Sequence, residues 1–207
     1  MTELLNSLNR RVSYHVHEMG FPAPNPSQLQ QILQAAMSTP DHGNLNPWHF
    51  LVIEHQQIGE LIEHLQQAWQ DSEQDLDPQR AKRLANYLKQ APSMILVSAA
   101  LQPHSKISEQ DQILSAAAAC QMILLAADGL GFGGVWYSTD AVSLPKVRPL
   151  LGLQPQHHPV GFLILGTPLN PRQKKRKDAR TYTFQWQGAG QLSPWLNHSS
   201  SKQEANK

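Results

Sequence analysis

The stretch that decides the fold is AAAACQMILLAADGLGFGGVWYS, from Ala116 to Ser138. Its first half is small or apolar on nearly every side, a pattern typical of a helix that is buried all round. The glycines from Gly129 to Gly134 then end the helix, and VWYS begins a strand. We therefore predict a central core helix that leads through a glycine-rich turn into a sheet.

The glycine run matches the letters GxGxxG, but its context does not fit a dinucleotide-binding turn. In that turn the glycines follow a strand and open a helix, so that a pyrophosphate meets the helix N-terminus. Here a helix ends and a strand begins, and a Rossmann site is not predicted. A helix stop explains only Gly129 or Gly131, which leaves open whether Gly133 and Gly134 bring backbone close to a flat ligand.

Outward from this stretch the chain continues as helices separated by strands. HFLVIE, SMILVSAAL and VGFLILG complete a set of four predicted strands, while the chain begins with two helices. This order favours an α+β fold, or a mixed α/β sandwich, over a regular doubly wound sheet.

The composition indicates an ordinary globular chain. Its 207 residues suit one domain, predicted over residues 1–186, with a polar and disordered tail over residues 187–207. The net charge of +1 and the lack of a signal peptide or a long apolar run predict a cytoplasmic protein with neither a nucleic-acid nor a membrane partner. The charge is unevenly distributed, because the run from Arg172 to Arg180 contains six basic residues and one acidic residue. A solvated surface is favoured there, with a phosphate or nucleic-acid contact as the alternative.

Few side chains suggest chemistry of their own. Arg10 and Arg11 fit either a solvated helix end or a bidentate phosphate clamp. His42 lies in the hydrogen-bonding loop PDHGNLNPW, and a loop histidine is usually a surface residue. The ten histidines lack zinc-ligand spacing, and Cys120 is most simply a core residue. The sequence therefore predicts no metal site and no catalytic side chain.

Five segments, taken in order, resemble the nitroreductase family, in particular its small NAD(P)H nitroreductases. They are LLNSLNRRVS, LQQILQAAMSTPDHGNLNPWHFLVIE, APSMILVSA, AAAACQMILLAADGLGFGGVWYS and PVGFLILGTP, and they extend from Leu4 to Pro168. The resemblance implies a mixed or antiparallel sheet flanked by helices, in an intertwined homodimer with two FMN sites at the subunit interface.

The resemblance also implies which residues bind the cofactor. Arg10, Arg11 and the adjacent Val12 would hold the phosphate and ribityl end. Ser38 and His42 would approach the same flavin, with Asn44, Asn46 and Pro47 near its pyrimidine edge. Gly133 and Gly134 would let backbone approach the ring plane, and Trp136, Tyr137 and Ser138 match the family's flavin-contacting strand.

Three of these positions depart from the family pattern. Val12 stands where the family usually has Ser, Asn46 where it has Gln, and Ser38 where the nearest relatives carry Arg. The basic run from Arg172 to Arg180 is the available source of a replacement cation.

The function implied is hydride transfer from NADH or NADPH, through FMN, to a small electron-poor acceptor such as a nitroaromatic compound or a quinone, by a ping-pong mechanism. The flavin supplies the chemistry, so no acid–base pair is needed. Two alternatives stay open. One is a flavoenzyme of the same fold with another redox task, dehalogenation or ring oxidation, and the other is a non-catalytic binding protein with a degenerate flavin site.

Overall fold

The computed structural model describes residues 2–72 and 77–195 of the chain. The helices of the described residues are α1 (Glu3–Arg10), α2 (Pro26–Ala36), α3 (His55–Gln70), α4 (Pro78–Leu88) and α5 (Glu109–Gly129). The strands are β1 (Met19–Gly20), β2 (Trp48–Ile53), β3 (Ser93–Ala100), β4 (Gly133–Tyr137), β5 (His157–Pro168), β6 (Phe184–Gly188) and β7 (Gln191–Pro194).

The main sheet has the order β1-β5-β3-β2, and β4 also pairs with β5. Every strand pair in it is antiparallel, with Leu96 opposite Phe162 and Val135 opposite Ile164. The predicted α+β fold with an antiparallel sheet is confirmed. An isolated parallel bridge between Ser13 and Gly134 brings the chain after α1 to β4.

Helices cover both faces of this sheet. Met94 and Leu96 of β3 lie in a cluster with buried residues of α3 and α4, including Trp69. The alternate residues Ile95 and Val97 lie in a second cluster with residues of α2 and α5. A strand covered on both faces explains why the run from Met94 to Val97 is continuously apolar instead of alternating with polar residues.

The central helix α5 begins at a capping box, because Ser108 accepts a hydrogen bond from the backbone of Asp111 while the Asp111 side chain accepts one from Ser108. By length and composition α5 could cross a membrane, but core helices share this property, and α5 packs against α2 and the sheet. The expectation that it is buried all round is wrong for the single chain. Leu114 is 58% exposed, and Ala118 and Gln121 are exposed beside it.

The chain divides after Gln173 into two compact units. The second contains a β-hairpin in which Phe184 of β6 pairs with Pro194 of β7. The predicted domain boundary between residues 186 and 187 therefore falls inside β6, and the expected tail does not begin there. The remainder of that tail, residues 196–207, lies outside the described residues.

Candidate functional site

One group of predicted site residues lies at the outer edge of β4. We call residues 10–14 the arginine segment. Its backbone follows β4, since the Tyr14 N–H donates to the Gly134 carbonyl oxygen at 3.2 Å and Ser13 bridges to the same glycine. The sheet thus brings Arg10 and Arg11 next to the glycine turn, more than a hundred residues later in the chain.

The two arginines are presented where α1 ends. Arg10 is the last residue of α1 and Arg11 is its C-cap, whose N–H donates to the Ser7 carbonyl oxygen. The Arg10 guanidinium donates from Nε to Asp128 of α5 at 3.3 Å, and its side chain is 60% exposed. The Arg11 guanidinium donates to the Ser13 hydroxyl at 3.3 Å. Two guanidinium groups and a hydroxyl therefore lie close along one short segment, which is a donor set suited to a phosphate.

Val12 has a different environment from its neighbours. Its side chain is buried in the cluster that contains α3 and α4, so only its backbone can face a ligand. Ser13 is exposed and carries the hydroxyl that position 12 lacks.

The structure explains why positions 133 and 134 are glycine, which the sequence alone left open. A Cβ atom on Gly133 would lie 2.8 Å from the Tyr14 ring, and one on Gly134 would lie 2.7 Å from Leu124. Both glycines are buried. Internal packing therefore accounts for the absence of a side chain at these positions, without any ligand.

The end of β4 carries the next three predicted residues. Trp136 is 37% exposed, and its indole N–H donates to the Val160 carbonyl oxygen at 3.2 Å. The Tyr137 ring packs against the Tyr87 ring with centroids 4.9 Å apart. Ser138 is exposed. One flat aromatic side chain and one hydroxyl are thus accessible beyond the glycines.

A second group of predicted site residues forms the loop after α2, residues 38–47, which we call the asparagine loop. Asn44 and Asn46 both adopt left-handed backbone conformations, with φ of 55° and 51°. Such residues are uncommon and concentrate at functional sites. The backbone of Asn46 is held by the Asp41 carboxylate at 2.5 Å, and its side-chain amide donates to the Asn44 carbonyl oxygen.

The other three predicted site residues of the asparagine loop each contact a neighbouring element. The Ser38 hydroxyl donates to the Ala35 carbonyl oxygen at 2.7 Å at the end of α2. His42 is exposed, with its Nδ1 3.8 Å from the Asp111 carboxylate. Pro47 is buried, and its carbonyl oxygen accepts from the Ala100 N–H.

Within one chain the two groups do not meet. His42 of the asparagine loop lies beside Asp111 in the first turn of α5, whereas Arg10 lies beside Asp128 in the last turn. At a rise of about 1.5 Å per residue these two positions are roughly 26 Å apart along the helix axis. That separation is too large for one mononucleotide to contact both groups of the same chain.

Sequence reasoning missed a cluster beside the arginine segment. Arg172, expected to be part of a solvated basic surface, forms a two-point ion pair with Glu18, and its backbone N–H donates to the Tyr14 hydroxyl at 3.2 Å. The arginine hydrogen bonds hold the pKa of Glu18 well down, at about 2. No local pattern links two residues that are 154 positions apart, so the sequence offers no signal for this pair.

Among residues 2–72 and 77–195, no group of three or more His, Cys, Asp or Glu side chains is placed to hold a metal ion. Cys120 is fully buried in α5, and burial raises the pKa of its thiol to about 12. The expected core role of this cysteine is therefore confirmed.

The chain combines an antiparallel sheet between two helical layers with the ordered motif segments, and this combination is typical of a flavin-binding oxidoreductase family. The model of the nitroreductase family matches residues 22–167, and the chain belongs to this family of oxidoreductase enzymes. Among its relatives, Escherichia coli (strain K12) YdjA, which carries NAD(P)H nitroreductase as a provisional name, is 37% identical over 164 residues, covering 78% of this chain and 85% of YdjA.

Solved structures show the same fold. A nitroreductase-like protein from Bacillus cereus superposes with a TM-score of 0.76 at 22% identity, covering 91% of this chain and 98% of that one. A structure from Desulfovibrio desulfuricans, provisionally named a nitroreductase and solved in complex with FMN, gives a TM-score of 0.70 at 21% identity, covering 91% and 99%.

Proposed function

We propose that this chain is an FMN-dependent oxidoreductase that passes hydride from NADH or NADPH to small electron-poor acceptors such as nitroaromatic compounds and quinones. The observation that carries the proposal is the position of Arg10 and Arg11 beside the strand that leads to Trp136. This arrangement supplies cation, hydroxyl and aromatic contacts along one edge of the sheet. Family membership, the name of YdjA and the FMN complex of the Desulfovibrio structure support the same assignment.

The residues present fit the cofactor by their donor chemistry. Arg10, Arg11 and the Ser13 hydroxyl suit a phosphate, and the backbone of Val12 lies between them. The amides of Asn44 and Asn46 provide donors and acceptors for a pyrimidine edge. Ser38, His42 and Pro47 would flank that edge from the asparagine loop. Trp136, Tyr137 and Ser138 would contact the ring and ribityl chain from the end of β4, while Gly133 and Gly134 let that strand pack closely against Tyr14 and Leu124.

The chemistry assigned to these residues is binding and orientation. When bound, FMN supplies reversible two-electron chemistry, which accounts for a ping-pong mechanism in which donor and acceptor use the site in turn. The guanidinium groups of Arg10 and Arg11 neutralise the phosphate. The amides of Asn44 and Asn46 would hold the pyrimidine edge by hydrogen bonds and would supply fixed donors there. No side chain of this site has to act as a nucleophile.

The site is completed by a second copy of the chain. The arginine segment and the asparagine loop lie at opposite ends of α5, so residues from both can surround one ligand only if they come from different subunits. The exposed side of α5 supports this arrangement, because Leu114, Ala118 and Gln121 leave a stripe of this central helix open to a partner. We therefore propose an intertwined homodimer with two interfacial sites, acting in the cytoplasm on small molecules.

The first experiment is the visible spectrum of the purified protein, recorded before and after FMN is added and the excess removed. We expect the bands of oxidised flavin, bleached under anaerobic conditions by NADH or NADPH and restored by a quinone or nitroaromatic compound. Sedimentation of the flavin-loaded protein as a dimer would support the interfacial site. A dimer that retains no FMN would refute the proposed cofactor.

A further inference from the structure

Arg172 contacts three residues of the short stretch that follows the two arginines. Its guanidinium pairs with both carboxylate oxygens of Glu18, and the second nitrogen donates to the Ser13 carbonyl oxygen at 3.1 Å. The same group lies over the Tyr14 ring, 4.9 Å from its centroid. With the backbone bond to the Tyr14 hydroxyl, Arg172 is attached to this stretch by both main chain and side chain.

Glu18 is itself held by two backbone N–H groups, one from His15 and one from Leu169. Its carboxylate accepts from the His15 N–H at 2.7 Å, which closes a short 3-10 turn over residues 16–18. Its carbonyl oxygen accepts from the Leu169 N–H at 2.9 Å. The Arg172 hydrogen bonds, chief among several causes, lower the pKa of this carboxylate to about 2, so it stays ionised well into the acidic range.

The contacts of Arg172 continue directly to the proposed phosphate site. Ser13, whose carbonyl oxygen Arg172 holds, is the residue whose hydroxyl accepts from Arg11. Tyr14, which Arg172 covers, is the residue bonded to Gly134 of β4. The guanidinium of Arg172 directs its hydrogen bonds to Glu18 and to Ser13, so it contacts the arginine segment directly.

We propose that Arg172 and Glu18 are positioning residues that together hold the arginine segment in the conformation that binds the FMN phosphate. This inference rests on the proposed function. It also gives the first residue of the basic run a defined role, which differs from supplying a replacement cation at the phosphate.

A positioning role and a purely electrostatic role of this ion pair predict opposite effects of Glu18→Gln on FMN binding. This substitution removes a negative charge near the phosphate site, so a purely electrostatic role of the region predicts equal or tighter FMN binding. Positioning predicts weaker binding, because Gln cannot form the two-point ion pair with Arg172. Glu63→Gln is the matched control, since Glu63 pairs with Lys89 on the surface of α3 and α4 and the charge change is the same.

The experiment measures the Kd of FMN for the apoprotein by quenching of flavin fluorescence, together with thermal unfolding of the apoprotein. We expect Glu18→Gln and Arg172→Gln each to raise Kd at least tenfold, Arg172→Lys to raise it less, and Glu63→Gln and Lys175→Gln to leave it unchanged. Thermal unfolding of the same apoproteins shows whether a change in Kd is accompanied by a loss of the fold.

The outcomes separate the two proposals. Wild-type protein that binds no FMN overturns the proposed function and this inference together. Wild-type protein that binds FMN while Glu18→Gln binds it equally or more tightly overturns this inference alone. If Arg172→Gln fails to fold, Arg172→Lys and the exchanged pair Glu18→Arg with Arg172→Glu provide the same test, and we expect the exchange to recover part of the lost affinity.

Discussion

Gly134 packs directly against Leu124, so that a Cβ on the glycine would lie 2.7 Å from the leucine Cδ2 and 2.8 Å from Leu165. These contacts come from α5, which covers one face of the sheet, and from β5, the strand paired with β4. The glycine therefore allows β4 to pack closely against α5.

We predict that Gly134→Val destabilises the fold itself, by about 1–3 kcal/mol, the usual range for overpacking a filled core. Urea unfolding of the apoprotein measures this effect without any cofactor. Gly59→Ala is the control, because a Cβ at this exposed position of α3 meets nothing within 4 Å, and alanine favours the helix. Wild-type stability for Gly134→Val would contradict the observed packing.

Arg10 provides a direct test of the phosphate site. We predict that Arg10→Ala weakens FMN binding by about 1.5–3 kcal/mol, the range for a hydrogen bond to a charged group. Titration of the apoprotein with FMN measures it. Arg83→Ala, which removes an equally charged and 72% exposed side chain from α4, should leave the affinity unchanged. Equal FMN affinity for Arg10→Ala and wild type would exclude Arg10 from the phosphate site.

His157 should make the stability of the fold depend on pH. Its pKa lies below the ordinary value of 6.5, first because of desolvation and then because the charges of His49 and Arg148 oppose protonation. The unfolded chain therefore takes up a proton at this position before the folded chain does. This contribution to stability is complete above the unfolded pKa and is lost as the pH falls toward the folded pKa.

We therefore predict that the free energy of unfolding falls between about pH 7.5 and about pH 5.5, a range that includes the ordinary histidine pKa. Urea titrations at both pH values would measure the fall. It should be smaller in His157→Gln and unchanged in His64→Gln, whose side chain is 62% exposed on α3. An equal pH dependence in wild type and His157→Gln would show that other groups cause it.

Cys120 should be unreactive in the folded protein. Burial raises the pKa of its thiol to about 12, so very little thiolate forms at pH 8, and the side chain is fully buried. A disulfide reagent such as Ellman's should therefore react within minutes in urea and hardly at all under native conditions. Rapid reaction of the native protein would show that α5 opens locally.

The sequence predicted those parts of the fold that have a local signal. Continuous apolar runs identified β3 and β5, and the Ser108–Asp111 pattern predicted the start of α5. The two-residue strand β1 has no such signal, because it exists only through its pairing with Thr167 and Pro168. The hairpin of β6 and β7 was missed because its apolar side chains are exposed and its polar turn resembles a tail.

The candidate site was predictable only in part, for a similar reason. The resemblance to the family's motifs implied a role for Arg10, Arg11, Asn44 and Asn46 at one ligand, and that role stays a prediction. It did not show that Gly134 is required by Leu124, since that contact depends on how α5 crosses the sheet. Likewise, the exposed stripe at Leu114 depends on what packs on the helix, which helical periodicity cannot show.

The pairing of Met19 with Pro168, and of Glu18 with Arg172, has a consequence for how the chain is made. Both contacts join residues 18 and 19 to residues synthesised about 150 positions later. At roughly 5–20 residues per second, the arginine segment therefore waits on the order of ten seconds for the partners that fix it. The segment proposed to hold the cofactor is therefore translated well before Arg172, the residue proposed to fix it.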